Sequence, residues 1–156
     1  MRDPAPILVT GATGYVGSKL VRELRERGHR TRTLSRSGTN TGDDRRGDVL
    51  SGDGLPEALE GVKTAYYLVH SMGSGGDFAA KDRQAAVNFA EAARDVERVV
   101  YLGGLGSTDS EHLQSRHEVA RELAARVPLV YVRAAMIIGP AAPPTTSSST
   151  SSGGCR

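Results

Sequence analysis

The chain of 156 residues contains no tryptophan, and aromatic residues make up only 4 % of it. A core built without many rings must rest on Val, Leu, Ile and Ala, which is typical of parallel sheets covered by helices. The single cysteine, Cys155, excludes an internal disulfide and is typical of a reducing compartment. No apolar run approaches the roughly 20 residues of a membrane span, and the N-terminus has no signal-peptide core. The composition therefore predicts a soluble, cytoplasmic protein.

Charge is balanced along the chain, with 20 basic and 18 acidic residues and a net charge of +2. The chain has no basic stripe that would indicate a nucleic-acid partner and no acidic block that would indicate a metal or histone partner. His, Cys and carboxylate residues nowhere share the spacing of metal ligands. We therefore expect neither nucleic-acid binding nor a metal site.

The most informative segment is an apolar run, Ile7–Val9, followed by Gly11, Gly14 and Gly17 and then by an amphipathic stretch. A buried strand, a tight turn and a helix in this order are typical of a dinucleotide-binding site. Gly11 allows the sharp turn, Gly14 leaves the backbone open to a pyrophosphate, and Gly17 allows close packing of helix on strand. The phosphates would meet free N–H groups at the positive end of the helix dipole. The alternative is a Gly-rich turn without a ligand.

Strand and helix signals alternate downstream, which predicts a Rossmann-type, doubly wound parallel sheet with right-handed crossovers. The expected strands are about 6–10, 30–35, 47–50, 64–69, 98–102 and 129–132. The expected helices are about 15–27, ended by Gly28, and then 56–60, 78–94 and 112–126.

The motif from Thr10 to Gly17 resembles the short-chain dehydrogenase/reductase superfamily in its extended or atypical branch. The resemblance continues in 47–49, 66–70, 99–104 and 133–140, and it is strongest to NmrA-like and complex I accessory-subunit-like NAD(P)H-binding proteins. It implies an NAD(P)-binding domain over 5–140 and NADP as the cofactor, with NAD as the alternative. The residues implied to bind the cofactor are Thr10, Gly11, Thr13, Gly14, Tyr15, Val16, Gly17, Ser35, Arg36, Asp48, Val49, Val69, His70 and Arg116.

The catalytic residues of that family are altered here. Its enzymes carry a Ser after the fifth strand and a Tyr-x-x-x-Lys pair on the next helix; this chain has Gly104, His112 and Arg116 at those places. Arg116 can hold ribose hydroxyls or phosphate but cannot cycle a proton near neutrality. An unperturbed imidazole titrates near pH 6.5, which makes His112 the candidate acid. Gly104 offers no hydroxyl, although Ser107 lies close by in sequence. Conventional chemistry is therefore doubtful, whereas cofactor binding is not.

The last residues depart from the family pattern. Ala141–Pro144 leads into eight consecutive Ser or Thr and then Gly153–Arg156, which predicts a disordered tail over 141–156. The substrate-binding half is then largely missing. One choice of codons for Ala141–Ser147 encodes Gly-Ser-Ala-Ser-Tyr-Asp-Leu when it is read one base earlier. That peptide resembles the sequence with which members of the family continue. We therefore consider a frameshift, with genuine disorder or a natural short form as the alternatives.

Several single residues keep two interpretations each. Arg36 pairs with a 2′-phosphate or is a solvated loop arginine. Asp48 accepts from adenine N6 or is a turn residue after Gly47. His70 donates to ribose or substrate or is simply a strand-end histidine, and His112 is a catalyst or a helix-surface residue.

The sequence supports three hypotheses about function. The first is an NAD(P)(H)-binding, short-chain dehydrogenase-like protein with weak or no oxidoreductase activity. The second is a non-catalytic redox sensor or assembly protein, and the third is an active NADP-dependent reductase, epimerase or dehydratase that uses His112. The expected partners are the dinucleotide and an unidentified small-molecule substrate or protein, and superfamily dimers make a homodimer a further expectation.

Overall fold

The computed structural model describes residues 4–70, 77–106 and 110–135. The predictions made for Ser107, for 137–140 and for the tail 141–156 fall outside the described residues. Within the described ranges, strands and helices alternate along the chain. They are β1 Ile7–Thr10, α1 Tyr15–Glu26, β2 Thr31–Ser35, β3 Asp44–Arg46, α2 Leu55–Leu59, β4 Thr64–Tyr67, α3 Phe78–Ala92, β5 Arg98–Gly104, α4 Glu111–Ala124 and β6 Leu129–Ala134.

The strands form one parallel sheet in the order β3-β2-β1-β4-β5-β6. Thr10 at the end of β1 is level with Tyr67 on β4, which is level with Tyr101 on β5. The strand order reverses between β1 and β4, and that reversal is the hallmark of the dinucleotide-binding α/β sheet. The predicted Rossmann-type, doubly wound architecture is therefore confirmed.

Helix α1 shows how the local sequence sets an element's limits. It buries Gly17, Val21 and Leu24 at helical spacing against the sheet. Gly28 has φ +78°, and its N–H donates to the Arg25 carbonyl while the N–H of His29 donates to the Leu24 carbonyl. These bonds satisfy the last carbonyls of the helix, so the predicted stop at Gly28 is confirmed.

Helices cover both faces of the sheet unequally. On one face, α1 packs over a small cluster around Val9. On the other face, α2, α3 and α4 cover the larger core, in which the rings of Tyr67 and Phe89 lie 4.9 Å apart between centroids. Tyr66 and Tyr67 point to opposite faces and both serve packing, because side chains alternate along a strand.

The short strand expected at 47–50 is wrong, since the third strand is β3, which ends at Arg46. Beyond it, the Gly47 N–H still donates to the Ser35 carbonyl at 3.0 Å, but Asp48 then folds the chain into a turn. Asp48 Oδ1 accepts the Leu50 N–H at 2.8 Å, and its carbonyl accepts the Gly52 N–H at 2.8 Å. A side chain that bonds the backbone two residues on competes with strand pairing, and here it prevails.

A buried arginine ties β2 to α2. Arg32 is 6 % exposed, and its Nη1 donates to the carbonyls of Ala58 at 2.9 Å and Glu60 at 2.7 Å. Those carbonyls lie at the C-terminal end of a five-residue helix, where no further turn can satisfy them. The contacts join residues that are 26 and 28 positions apart in the sequence, so no local pattern predicts them.

Candidate functional site

A cleft of about 1030 Å³ opens above the carboxyl ends of the strands, centred on the point where the strand order reverses. In open α/β sheets this crevice is where ligands bind. Every residue that the family resemblance assigned to the cofactor lines this cleft. The sheet therefore brings together residues that are up to 106 positions apart in the sequence, from Thr10 to Arg116.

The glycine turn forms the middle of the cleft. Gly11 has φ +69°, and a Cβ there would lie 2.9 Å from the Leu68 carbonyl oxygen. A Cβ on Gly14 would have only the Gly11 carbonyl nearby, at 3.3 Å, whereas one on Gly17 would run into that same carbonyl and the Ala12 backbone. Gly11 and Gly17 are thus needed by the fold, while Gly14 leaves room at the cleft surface.

The start of α1 is prepared for an anion. Gly14 is its N-cap residue and offers no side-chain cap, and the first turn contains no acidic residue. The first N–H groups of a helix have no partner within it and carry the positive end of the dipole. A phosphate is the group that such a helix start binds best.

Thr10 contributes to the scaffold of this turn. It is fully buried, and its hydroxyl donates to the Tyr66 carbonyl at 3.1 Å and accepts the Leu68 N–H at 3.3 Å. The hydroxyl thus joins β1 to β4 at the reversal point. Strand β4 ends at Tyr67, two residues before the predicted end. The reason is that the Leu68 N–H donates to the Thr10 hydroxyl and not to the backbone of a neighbouring strand.

On the β2 side, Arg36 and Asp48 face the cleft. Arg36 is exposed and makes no ion pair or hydrogen bond within the described part of the chain. Oδ1 of Asp48 accepts the Leu50 N–H and so supports the interpretation of Asp48 as a turn residue. Its position in the cleft lining is also compatible with a contact to adenine.

On the β4 and β5 side, His70 and Arg116 face the cleft together. Burial lowers the pKa of His70, and the positive charge of Arg116 lowers it further. His70 is therefore set to be neutral near pH 7, and as an imidazole it has one N–H donor and one acceptor nitrogen.

His112 takes a different position from Arg116 although both lie on α4. Its ring stacks on Phe78, with centroids 4.8 Å apart and planes 30° from parallel. The side chain is exposed and is not among the residues that line the cleft. The next residue, Leu113, does line it and fills the space that a side chain at Gly104 would need. Apolar atoms thus lie where the family would place a hydroxyl.

Sequence reasoning missed a buried polar pair between α3 and α4. Asp82 lines the cleft at 8 % exposure, and the Ser115 hydroxyl donates to its Oδ2 at 3.4 Å. Lys81 also lines the cleft and pairs with Asp77 at 2.8 Å. A signal was present, since Asp82 falls on the helical spacing of the buried positions Phe78, Ala85 and Phe89.

Residues 4–70, 77–106 and 110–135 contain no group of three or more His, Cys, Asp or Glu side chains that could hold a metal ion. Among the helices of the same ranges, none combines the length and the apolar character needed to cross a bilayer.

Comparison with known proteins gives a family match and several relatives. The model of the NAD dependent epimerase/dehydratase family matches residues 7–152. A 4-hydroxy-tetrahydrodipicolinate reductase of Natronomonas pharaonis is 31 % identical over 144 residues, which cover 74 % of this chain and 58 % of that protein.

Solved structures show the same fold. The UDP-N-acetylglucosamine 4-epimerase from Bacillus cereus superposes with a TM-score of 0.73 at 20 % identity, over 83 % of this chain and 55 % of that one. MoeE5 in complex with UDP-glucose and NAD superposes with a TM-score of 0.68 at 25 % identity, over 82 % of this chain and 53 % of that one. The chain thus spans little more than half the length of these proteins.

Proposed function

Because the chain belongs to the NAD dependent epimerase/dehydratase family, we propose that its cleft binds a nicotinamide dinucleotide, with weak or no oxidoreductase activity. One observation carries the proposal: the turn at Gly11, Gly14 and Gly17 presents an uncapped helix start to the cleft at the reversal point of the sheet. Titration of the purified chain with NADPH and NADH tests it directly. Absence of binding to both would refute it.

The residues present fit the two ends of such a cofactor. The turn from Gly11 to Gly17 would hold the pyrophosphate through backbone N–H groups. Ser35, Arg36, Asp48 and Val49 would surround the adenosine end, and Val69, His70 and Arg116 the nicotinamide end. We place the binding domain at 5–140, and we assign the chain to the NmrA-like type within the family.

We propose that the adenosine end selects NADP over NAD. Arg36 faces the cleft just after β2, where an acidic side chain would grip an unphosphorylated ribose. An arginine there offers a planar fork of donors to a 2′-phosphate, and its guanidinium has no competing partner in the described ranges.

We expect NADPH to bind the wild-type protein about tenfold or more tightly than NADH, since a charge-assisted bond contributes roughly 1.5–3 kcal/mol. Arg36→Ala should remove most of this preference, and raised salt should reduce it. Fluorescence titration with both cofactors measures it. Arg22→Ala, on the exposed face of α1, is the matched control and should change nothing. Tighter binding of NADH by the wild-type protein would contradict the assignment.

When bound, the cofactor would supply hydride transfer, but the protein side of such chemistry is reduced here. Gly104 has no hydroxyl to orient a substrate oxygen, and Leu113 occupies its place. Arg116 has a guanidinium, which offers donors only, at the place where the family has a lysine. The same packing favours the second candidate function, a non-catalytic redox sensor or assembly protein that reports the cofactor's state to a partner.

We expect His112→Ala to leave any residual turnover unchanged, because the ring stacks on Phe78 and lies outside the cleft lining. Steady-state reduction of ketones, aldehydes and sugar nucleotides, followed by NADPH absorbance, measures this. A fall of about 10²–10⁴-fold, the usual contribution of a positioned acid, would instead identify His112 as the proton donor. A pH profile that breaks near 6–7 and disappears in the variant would support the same conclusion.

A further inference from the structure

Three positively charged side chains line the cleft, and only one of them forms an ion pair within the described ranges. Lys81 pairs with Asp77 at 2.8 Å. Arg36 and Arg116 form no ion pair or hydrogen bond within the ranges that the structure describes. Arg36 follows β2 at one side of the cleft, and Arg116 projects from α4 at the other. Each side of the glycine turn therefore has a guanidinium without an ion pair or hydrogen bond in the described ranges. The carboxylates of Asp48 and Asp82 line the same cleft.

Arg116 lies over the end of β5. The Cδ atom of Arg116 lies 3.6 Å from the position that a Cβ on Gly104 would take. Arg116 is partly exposed. His70 is close enough for the charge of Arg116 to affect its pKa. Leu105 and Leu113 line the same part of the cleft and give it an apolar wall. A guanidinium beside apolar side chains without a counter-ion loses hydration that an incoming anion would replace.

The charges of a dinucleotide leave this cation without a match. A pyrophosphate is matched by the start of α1 and a 2′-phosphate by Arg36, as proposed above. The nicotinamide and its ribose carry no further negative group. An anion that binds Arg116 would therefore come from a second ligand beside the nicotinamide end.

We infer that Arg116 binds the carboxylate of a small substrate whose apolar part packs on Leu105 and Leu113. This inference rests on the proposed function, since the dinucleotide defines which half of the cleft remains for the substrate. A planar carboxylate matches the guanidinium fork, and two parallel hydrogen bonds fix its orientation. The site thus selects carboxylic acids over neutral carbonyl compounds and amides.

Benzoate and benzamide provide a matched pair of probes, because they have nearly the same shape and differ in charge. Each is titrated by calorimetry into the wild-type protein saturated with NADP⁺, and again without the dinucleotide. We expect benzoate to bind about tenfold or more tightly than benzamide. Arg116→Gln should reduce that ratio to near unity while thermal unfolding stays as in the wild type, with NADP⁺ added at a concentration that saturates the variant.

Arg121→Gln is the control, because it removes the same charge from an exposed position on the same helix, and it should keep the ratio. Equal binding of benzoate and benzamide to the NADP⁺-loaded protein would overturn the inference. So would an unchanged ratio of benzoate to benzamide affinity in NADP⁺-saturated Arg116→Gln. Absence of NADP⁺ and NADPH binding in the wild-type protein refutes the proposed function itself, and the inference falls with it.

Discussion

Replacing Gly14 by valine should weaken NADPH binding by about 100-fold or more while the protein still folds. The backbone at Gly14 has φ −74° and ψ 169°, which any residue adopts. A Cβ there meets only the Gly11 carbonyl, at 3.3 Å, so the fold can accommodate it with a small adjustment. The branched side chain would project into the cleft and exclude a pyrophosphate from the start of α1. Fluorescence titration and thermal unfolding, measured on the same sample, separate the two effects.

Gly17→Ala is the informative counterpart, because a methyl group there would run into the Gly11 carbonyl and the Ala12 backbone. It should lower the unfolding temperature, whereas Gly14→Val should not. Wild-type affinity for NADPH in Gly14→Val would contradict the assignment of the turn to the pyrophosphate. A large loss of stability in Gly14→Val would show that the turn does not accommodate a branched side chain.

Replacing Arg32 by methionine should reduce the free energy of unfolding by about 3 kcal/mol. Methionine keeps much of the apolar stem but has no donor for the carbonyls of Ala58 and Glu60, which would lose these hydrogen bonds at the end of α2. Asp43, whose Oδ1 lies 3.6 Å from Nε of Arg32, would lose part of its counter-charge as well. Urea unfolding monitored by circular dichroism gives the change in free energy.

Arg27→Met provides the control for this measurement. Arg27 pairs with Glu23 at 2.7 Å on the exposed face of α1, where its side chain is 69 % exposed. Solvent-exposed pairs of this kind contribute roughly 0.2–1 kcal/mol, so a small change is expected. Equal effects of the two substitutions would show that the buried contacts of Arg32 add nothing beyond its charge.

The sequence determined the architecture because its signals are local. The apolar run before Gly11, the helical spacing that follows and the stop at Gly28 each depend on neighbours within one or two turns. Alternation of such units implies a parallel sheet, since right-handed crossovers leave few other arrangements. The carboxyl ends of the strands then share one edge, so the sequence could also indicate which residues face a common cleft.

Only the tertiary structure decided the positions of side chains whose partners are distant in the chain. Asp48 forms a turn where a strand was expected, and Arg32 is buried because the end of α2 lies over β2. His112 and Arg116 are four residues apart on one helix, yet Phe78 from α3 takes the ring of His112 while Arg116 reaches the cleft. Helical spacing puts two side chains on roughly the same face, but the packing of the neighbouring helix decides where each one goes. That packing follows from side-chain shapes on both helices, and no local pattern in the sequence encodes it.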